Sequence, residues 1–327
     1  MSISKCIFAI GGCPFQISKS IEVIGSSRFK LPAVPAMPFG IMNHSTVVTN
    51  ENKLMILGGT HIFDLKEDSK WIRSRKCFVL HGTKWIYHSM LLEPRNRSIS
   101  ICMPNGIYLF GGFGESLENE NLTSSSEFLA TGTSNWRKGP TVPLGAGFLD
   151  RGQGVAISET EIVFMGGFVT TDKQKAETPD RILVRGYASK QIWKFNIITE
   201  EWQLIGDLKV SRFSHQAIYL HPNVVICGGI TYDARVMPRS VILKSTEIFN
   251  PHQPEFESLL VGDLNVPRGS HIMGIIKKYG NPTVIAFGGV TKNEQDEFSH
   301  LDSIEEWDPE KKKWKLLQKK LIVKRSI

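Results

Sequence analysis

The chain has 327 residues, with 41% hydrophobic residues, 22% charged residues and a formal net charge of +7 at pH 7. No apolar run approaches the roughly 18 residues of a membrane span, and the run in MSISKCIFAIGG is too short for a secretory signal, so we expect no membrane partner. Five cysteines without CxxC spacing favour free thiols in a reducing compartment, which predicts a cytoplasmic location.

A Gly-Gly pair closes each of six short apolar runs. The pairs are Gly11-Gly12, Gly58-Gly59, Gly111-Gly112, Gly166-Gly167, Gly228-Gly229 and Gly288-Gly289. Their first glycines lie 47, 53, 55, 62 and 60 residues apart. A period near fifty residues is typical of a β-propeller blade, so we expect one all-β domain over residues 1–327.

Each repeat contains further strand-like segments in a constant order. After the diglycine comes a β-branched and aromatic run: SIEVI, KCFVL, SSEFLA, QIWKFN, STEIFN or SIEEWD. An aromatic residue then opens another strand: Phe29, Trp85, Trp136, Trp202, Phe256 or Trp314. A fourth strand before the next diglycine is visible in HSTVV, GVAI, HQAIYL and HIMGII. The unit is therefore strand A, strand B ending in Gly-Gly, strand C, and strand D, which form one antiparallel blade with the aromatic between blades.

These features resemble the kelch repeat, whose marks are the diglycine, a Ser-x-Glu-x-aromatic strand and a spaced Trp. The full set occurs as SSEF with Trp136, STEIF with Phe256 and SIEEW with Trp314. The resemblance covers essentially the whole chain and implies a six-bladed kelch β-propeller, similar to the propeller of BTB-kelch adaptors. No segment resembles a BTB domain, so a ubiquitin-ligase role would require a separate bridging protein.

Two repeats depart from the pattern, and the first begins directly on strand B. The second repeat has the basic stretch KWIRSRK and lacks Ser-x-Glu, and the fourth has an insertion near residues 170–190, which is either a binding-face decoration or a tolerated loop. Residues near Arg325 reach the start of a strand A, so we expect the first blade to be incomplete, with at most a stub from the C-terminal residues.

Arginines recur where strand D passes into strand A. Arg97, Arg151, Arg212, Arg268 and Arg325 follow the blade aromatic by 12, 15, 10, 12 and 11 residues, and Ile41 occupies the first slot. The ends of strands B and D lie at the same edge of a blade, so the arginines share a face with the diglycines. Such a ring would bind carboxylates of an acidic peptide. The alternative is a scaffold role, in which these arginines bond loop carbonyls or Glu127, Glu247 and Glu305.

Two further residue sets were weighed on this face. EPRNRS, with Asn96 beside Arg97, resembles the corresponding turn of BTB-kelch adaptors, which implies that both contact a ligand. His44, His215 and His271 follow the slot by three residues but belong to different blades, so we expect them to cap structure. We predict no metal and no cofactor.

Catalytic signatures are missing from the sequence pattern. A copper centre like that of galactose oxidase would need converging tyrosines and histidines with a cysteine beside one tyrosine, and Tyr108 and Tyr219 have no obvious cysteine partner. No Ser-His-Asp order or phosphate loop stands out. We therefore expect a non-enzymatic protein, with a sugar-modifying or metal-dependent propeller enzyme as an alternative.

The expected function is protein binding. We predict a protein partner with an acidic segment, which suits a substrate-recognition adaptor, and an actin-binding or cytoskeletal kelch protein is the rival. Nucleic acid is not expected, because the acidic stretches GESLENEN and KNEQDE follow two diglycines on the arginine face. The basic KKKWKLLQKK contains the last blade aromatic and suits a solvated outer edge better than a nuclear or membrane signal.

Overall fold

The structure is a computed structural model. It describes residues 6–10, 21–25, 35–37, 39–61, 72–114, 125–143, 145–175, 182–235, 239–278, 281–322 and 324. Phe29, Arg325 and the first diglycine lie outside these residues.

The strands follow the six repeats, and blades are numbered here after the repeats that form them. Repeat 1 contributes β1 (Cys6–Ile10) and β2 (Ile21–Gly25). Repeat 2 contributes β3 (Ile41–Met42), β4 (Ser45–Val48), β5 (Leu54–Leu57), β6 (Thr60–His61), β7 (Ile72–Arg73), β8 (Lys76–His81) and β9 (Lys84–Met90). Repeat 3 contributes β10 (Ile99–Met103), β11 (Gly106–Phe110), β12 (Ser126–Ala130) and β13 (Trp136–Lys138).

The other three repeats follow the same plan. Repeat 4 has a 3₁₀ turn (Gly147–Leu149), β14 (Gln153–Ala156), β15 (Glu161–Met165), β16 (Phe168–Lys175), β17 (Ile182–Ala188), β18 (Gln191–Asn196) and β19 (Trp202–Asp207). Repeat 5 has β20 (Gln216–Leu220), β21 (Asn223–Cys227), β22 (Ile230–Thr231), β23 (Val241–Ile242), β24 (Thr246–Phe249) and β25 (Ser258–Val261). Repeat 6 has β26 (Ile272–Lys278), β27 (Asn281–Phe287), β28 (Val290–Lys292), β29 (Phe298–His300), β30 (Ser303–Asp308) and β31 (Lys313–Lys320).

Repeats 2 to 6 each form one four-stranded antiparallel sheet in the predicted order A-B-C-D. The sheets are β4-β5-β8-β9, β10-β11-β12-β13, β14-β15-β18-β19, β20-β21-β24-β25 and β26-β27-β30-β31. Their A strands contact one another in sequence, β4 with β10, β10 with β14, β14 with β20 and β20 with β26. Blades joined along their inner strands in this way form a β-propeller.

The predicted number of six blades is not confirmed. The described residues contain five four-stranded blades, and repeat 1 is represented among them by only the two-stranded sheet β1-β2. β1 contacts β26, on the far side of blade 6 from blade 5. The predicted closure by a stub near Arg325 falls outside the described residues.

The core lies between neighbouring blades. Trp136 of blade 3 packs with Leu57 and Cys77 of blade 2, and Trp314 of blade 6 packs with Cys227 of blade 5. Each indole also donates a hydrogen bond across its interface, Trp136 to Ser89 Oγ (3.0 Å) and Trp314 to Thr246 Oγ1 (2.8 Å). The predicted aromatic packing between blades is therefore confirmed.

Small sheets follow the diglycines. They are β3-β6-β7 in repeat 2, β16-β17 in repeat 4, β22-β23 in repeat 5 and β28-β29 in repeat 6. The insertion of repeat 4 is the longest of these hairpins, and Ala188 N–H donates to the Tyr232 carbonyl (2.7 Å) in the corresponding loop of blade 5. The loops between strands B and C are thus joined from blade to blade.

Candidate functional site

The diglycines and the turns from strand D to strand A share one face, as predicted. The second glycine of a pair donates its N–H to a carbonyl of the following blade. The bonds are Gly59 to Arg95 (2.7 Å), Gly112 to Leu149 (2.9 Å), Gly167 to Arg212 (2.8 Å) and Gly229 to Arg268 (2.8 Å). The first glycine is equally constrained. At Gly228 (φ +60°) an added Cβ would meet the Arg268 carbonyl and the His271 ring, so both the backbone conformation and the space require glycine.

Arg212 and Arg268 are buried parts of the scaffold. Both are fully buried, and their Nη2 atoms bind Glu247 (2.5 Å) and Glu305 (2.7 Å). Their Nη1 atoms donate to the first-glycine carbonyls of their own blades, at Gly228 (2.7 Å) and Gly288 (2.9 Å). The scaffold alternative therefore describes these two arginines, and the structure does not expose them as members of a ligand-binding ring.

Blade 3 has the same arrangement at a position that the sequence spacing missed. Arg95, which is 1% exposed, donates Nε–H to Glu127 (2.8 Å) and Nη1–H to the Gly111 carbonyl (3.0 Å). Counting from the blade aromatic led instead to Arg97, because the preceding loop of this blade is longer. The signal that was available is the three-residue step from Arg212 to His215, which leads from Arg95 to Ser98.

Each buried glutamate also accepts two backbone N–H groups from the loop before its arginine. Glu127 accepts from Leu92 (2.7 Å) and Glu93 (3.2 Å). Glu247 accepts from Lys209 (2.7 Å) and Val210 (3.0 Å), and Glu305 accepts from Asn265 and Val266 in the same way. The ion pair thus anchors the D-to-A loop as well as balancing the arginine charge.

Arg97 and Arg151 lie two residues further along, at the tip of the turn. This tip has positive φ in all five blades: Asn43 (52°), Arg97 (57°), Arg151 (54°), Ser214 (50°) and Ser270 (48°). Neighbouring tips are joined by backbone hydrogen bonds, from Arg97 N–H to Asn43 (2.7 Å), from Ser214 N–H to Arg151 (2.8 Å) and from Ser270 N–H to Ser214 (2.8 Å). Of the five predicted arginines, two occupy this inner ring, two are buried, and Arg325 lies outside the described residues.

The tips surround a central pocket of about 430 Å³. Hydroxyl and amide side chains from the first residues of the A strands form much of its wall, including Ser98, Ser100, Gln153 and Gln216. Among the described residues that line it, Arg97 and Arg151 are the only permanently charged ones, and none is acidic. The wall therefore offers donors and positive charge to an anionic group.

The two pocket arginines differ in their surroundings. Arg151 forms a bidentate pair with buried Asp150 (2.9 Å for both bonds) and lies over the rings of Phe168 (4.9 Å) and Phe213 (4.6 Å). Arg97 is exposed and lies 5.7 Å from the centroid of Phe113. Asp150 offsets part of the Arg151 charge, and aromatic faces hold both guanidinium groups in place.

Asn96 does not line the pocket. It is 8% exposed, its Nδ2 donates to Thr60 Oγ1 (2.8 Å), and its backbone forms two hydrogen bonds with Phe113 (3.1 and 3.3 Å). Asn96 therefore joins blade 2 to blade 3, and its predicted contact with a ligand stays a prediction.

The recurring histidines fill the space that the diglycines leave. An added Cβ at Gly166 would meet the His215 ring, and one at Gly59 or Gly289 would meet Cβ of His44 or His271. Burial lowers the pKa of His215 well below its ordinary value, with a smaller contribution from the nearby Arg212 charge. The imidazole of His215 is thus neutral and packed, as expected for a structural residue.

Three cysteines fall within the described residues, and all three are free: Cys77, Cys102 and Cys227. Burial raises the pKa of both Cys77 and Cys227 to about 12, so these two are protonated thiols. Over the described ranges, no three side chains drawn from His, Cys, Asp and Glu are grouped as a metal site. No described helix is long and apolar enough to cross a membrane.

Five antiparallel four-stranded blades around a central pocket define the class of this protein as a β-propeller. The diglycine at the end of strand B, the Ser-x-Glu of strand C and the aromatic of strand D make it a kelch-repeat propeller.

Known proteins agree with this assignment. The chain is similar to Kelch-like protein 15 of Homo sapiens, with 20% identity over 288 residues, which cover 87% of this chain and 43% of the relative. Kelch-like protein 25 of Xenopus tropicalis is 27% identical over 130 residues, 39% of this chain and 20% of the relative. The chain thus spans less than half the length of these relatives. No protein-family model matches.

A solved structure supports the fold. The structure of YjhT superposes with a TM-score of 0.62 and 14% identity, and the match covers 88% of this chain and 86% of the other. At this level of identity the likeness concerns the propeller fold alone.

Proposed function

We propose that this propeller is a protein-interaction module whose central pocket face binds an acidic segment of a partner protein. The supporting observation is the pocket wall, in which Arg97 and Arg151 are the only charged residues among those described. Guanidinium groups bind carboxylates in a bidentate manner, and Arg151 Nη1 has no hydrogen-bond partner among the described residues. A carboxylate side chain entering the pocket would meet donors from both arginines and from the surrounding hydroxyl groups.

The proposal extends to a substrate-recognition adaptor in the cytoplasm. Similarity to Kelch-like proteins favours protein partners, among them ubiquitin-ligase components, and the longer relatives contain sequence beyond the region that this chain matches. One further relative is printed as "Kelch repeat and BTB domain-containing protein 12" of Danio rerio, with 22% identity over 165 residues. Actin binding and catalysis have no specific support from the described contacts.

We also infer that repeat 1 belongs to the ring as a sixth blade. Its β1 contacts the inner strand of blade 6, which is the place that a blade between blades 6 and 2 would occupy. An experimental structure with six radial sheets is the expected result, and a five-sheet ring with repeat 1 outside it would refute this inference.

The acidic-segment proposal is tested with charge reversal. A fluorescein-labelled hexaglutamate peptide is titrated with the wild type and with Arg97→Glu/Arg151→Glu, and fluorescence anisotropy is recorded at low and moderate salt. We expect affinity to fall roughly tenfold for each guanidinium removed, because hydrogen bonds to charged groups contribute about 1.5–3 kcal/mol. Wild-type binding should weaken with added salt.

The matched control is Arg137→Glu/Lys138→Glu. Both residues are exposed on the outer strand β13, so this variant carries the same change in net charge away from the pocket. Equal loss in the two variants would show a nonspecific charge effect, and unchanged binding by the pocket variant would refute the proposal. Cosedimentation with filamentous actin that both variants retain would favour the cytoskeletal rival.

A further inference from the structure

Two sulfur atoms and an imidazole nitrogen meet at the interface of blades 5 and 6. Cys227 ends β21 of blade 5, while His271 and Met273 lie two residues apart at the start of β26 of blade 6. Cys227 Sγ is 3.4 Å from His271 Nε2 and 3.4 Å from Met273 Sδ. Cys227 and His271 are fully buried, and Met273 is partly buried.

These separations suit donors that share one metal ion. Sulfur and imidazole ligands at about 2.0–2.3 Å from an ion are about 3.3–4 Å from each other when they are spread around it. A thiolate, a thioether and an imidazole form a soft ligand set, which selects Cu⁺ over hard cations. The set contains one methionine, so a search restricted to His, Cys, Asp and Glu does not find it.

Charge favours a monovalent ion at this position. A Cys227 thiolate and Cu⁺ sum to zero, whereas a divalent ion would leave one net positive charge in a buried site. Arg212 and Arg268 already bring positive charge close to Cys227, and each is balanced by its own glutamate. An additional unbalanced charge would be costly to desolvate there.

We propose that Cys227, His271 and Met273 form a buried binding site for a single Cu⁺ ion. In the tautomer that carries its proton on Nδ1, the Nε2 lone pair of His271 faces Cys227 and is available to the ion. Binding releases the thiol proton of Cys227 to solvent, and copper stays Cu⁺ throughout. The site lies between blades and includes no tyrosine, unlike the axial centre considered from the sequence.

Access is from the channel side. Ser270 and Ile272, which flank His271, line the central pocket, and Met273 retains partial exposure. A flexible thioether at this position can take up the ion first and pass it inward, as unbranched methionine side chains adjust easily.

The test uses the full-length, reduced protein and Cu⁺ alone. The protein is titrated anaerobically with Cu⁺ against a chromophoric Cu⁺ chelator, for the wild type, Cys227→Ser and Met273→Leu. We expect the wild type to bind one more Cu⁺ than Cys227→Ser, and Met273→Leu, which conserves volume, to bind it at least about tenfold more weakly. X-ray absorption at the copper edge should show two sulfur ligands and one nitrogen ligand.

Matched controls separate this site from general thiol binding. Cys77→Ser removes an equally buried thiol in blade 2, and Met165→Leu alters the residue of blade 4 that corresponds in strand position to Cys227. Both should bind copper as the wild type does. Thermal unfolding of each variant establishes that it is folded.

Three results would overturn the proposal. Folded Cys227→Ser and Met273→Leu could bind Cu⁺ as tightly as the wild type, or Cys77→Ser could lose as much binding as Cys227→Ser. Equal affinity of the same three residues for Zn²⁺ would refute the choice of ion. None of these results bears on peptide binding at Arg97 and Arg151.

Discussion

Blades 3, 5 and 6 are built around a buried arginine–glutamate pair, and blade 4 reaches the same shape without one. At the arginine position blade 4 has Leu149, and opposite Phe164 it has Trp193 where blade 5 has Glu247 opposite Ile226. Leu149 and Trp193 pack in one hydrophobic cluster. A buried ion pair has been replaced here by apolar side chains.

The loop of blade 4 compensates for the missing carboxylate. Its 3₁₀ turn, Gly147–Leu149, satisfies backbone groups locally, since Leu149 N–H donates to the Ala146 carbonyl (3.4 Å) and Ala146 N–H to the Pro143 carbonyl (3.3 Å). In the paired blades the glutamate accepts the loop N–H groups instead. The difference teaches that the glutamate is needed for its loop as much as for its arginine.

What both kinds of blade retain is the backbone bond from the preceding diglycine. Gly112 N–H donates to the Leu149 carbonyl (2.9 Å) as Gly229 N–H donates to that of Arg268 (2.8 Å). A carbonyl is present whatever the side chain, so this connection tolerates the exchange of arginine for leucine. Four predictions follow this contrast, from the largest expected effect to the smallest.

Glu247→Leu should strongly destabilise blade 5. The change leaves the Arg212 guanidinium buried without its counter-charge and removes the acceptor for the Lys209 and Val210 N–H groups. We expect the free energy of unfolding in urea to fall by about 3–5 kcal/mol, the usual effect of removing one partner of a buried pair. A loss below about 1 kcal/mol would mean that water replaces the carboxylate.

Gly111→Ala and Gly228→Ala should be similarly destabilising, although one faces Leu149 and the other Arg268. In each case the new Cβ would meet the neighbouring carbonyl at a residue with positive φ. Backbone strain of about 1–2 kcal/mol and overpacking of about 1–3 kcal/mol should add in thermal or urea unfolding. Gly132→Ala is the control, because φ is also positive (77°) but nothing lies within 4 Å. Equal losses at all three sites would remove the blade contact from the explanation.

Arg212→Leu/Glu247→Leu should be less destabilising than the sum of its two single changes. The double variant leaves no unpaired buried charge, but the Lys209 and Val210 amides still lack the acceptor that the 3₁₀ turn replaces in blade 4. A double-mutant cycle in urea should give a coupling of about 0.5–3 kcal/mol. Strict additivity would show that the pair does not act as a unit.

His215 should make the stability of the paired side of the ring depend on pH. Burial holds the pKa of His215 well below its ordinary value, so the unfolded chain takes up the proton first as the pH falls. Stability is therefore complete above about pH 6.5 and should decrease by about 1.4 kcal/mol per pH unit below it. His215→Ser, which installs the residue found at Ser98 in blade 3, should reduce this slope between pH 7 and pH 5. An unchanged slope would exclude His215 as the cause.

The repeated elements were predictable because strand periodicity and glycine chemistry are local. QIWKFN and SIEEWD coincide with β18 and β30, and the blade aromatics lie between blades as expected. The arginine set was only partly predictable. Arg151 and Arg212 have similar spacings from their aromatics, yet Arg151 lines the pocket and Arg212 is buried. The length of each D-to-A loop, rather than the residue type, separates these two positions.

The sequence by itself determined the kelch-repeat blades, because a diglycine, a β-rich run and an aromatic in phase specify strand order through short-range conformational preferences. Only the tertiary structure decided which arginine reaches Glu127, and that Cys227 meets His271 and Met273 more than forty residues away. These contacts depend on loop paths and on how neighbouring blades pack. The same diglycines mark every blade in the sequence, but the carbonyl or ring beside each one belongs to a neighbour that only the folded ring supplies.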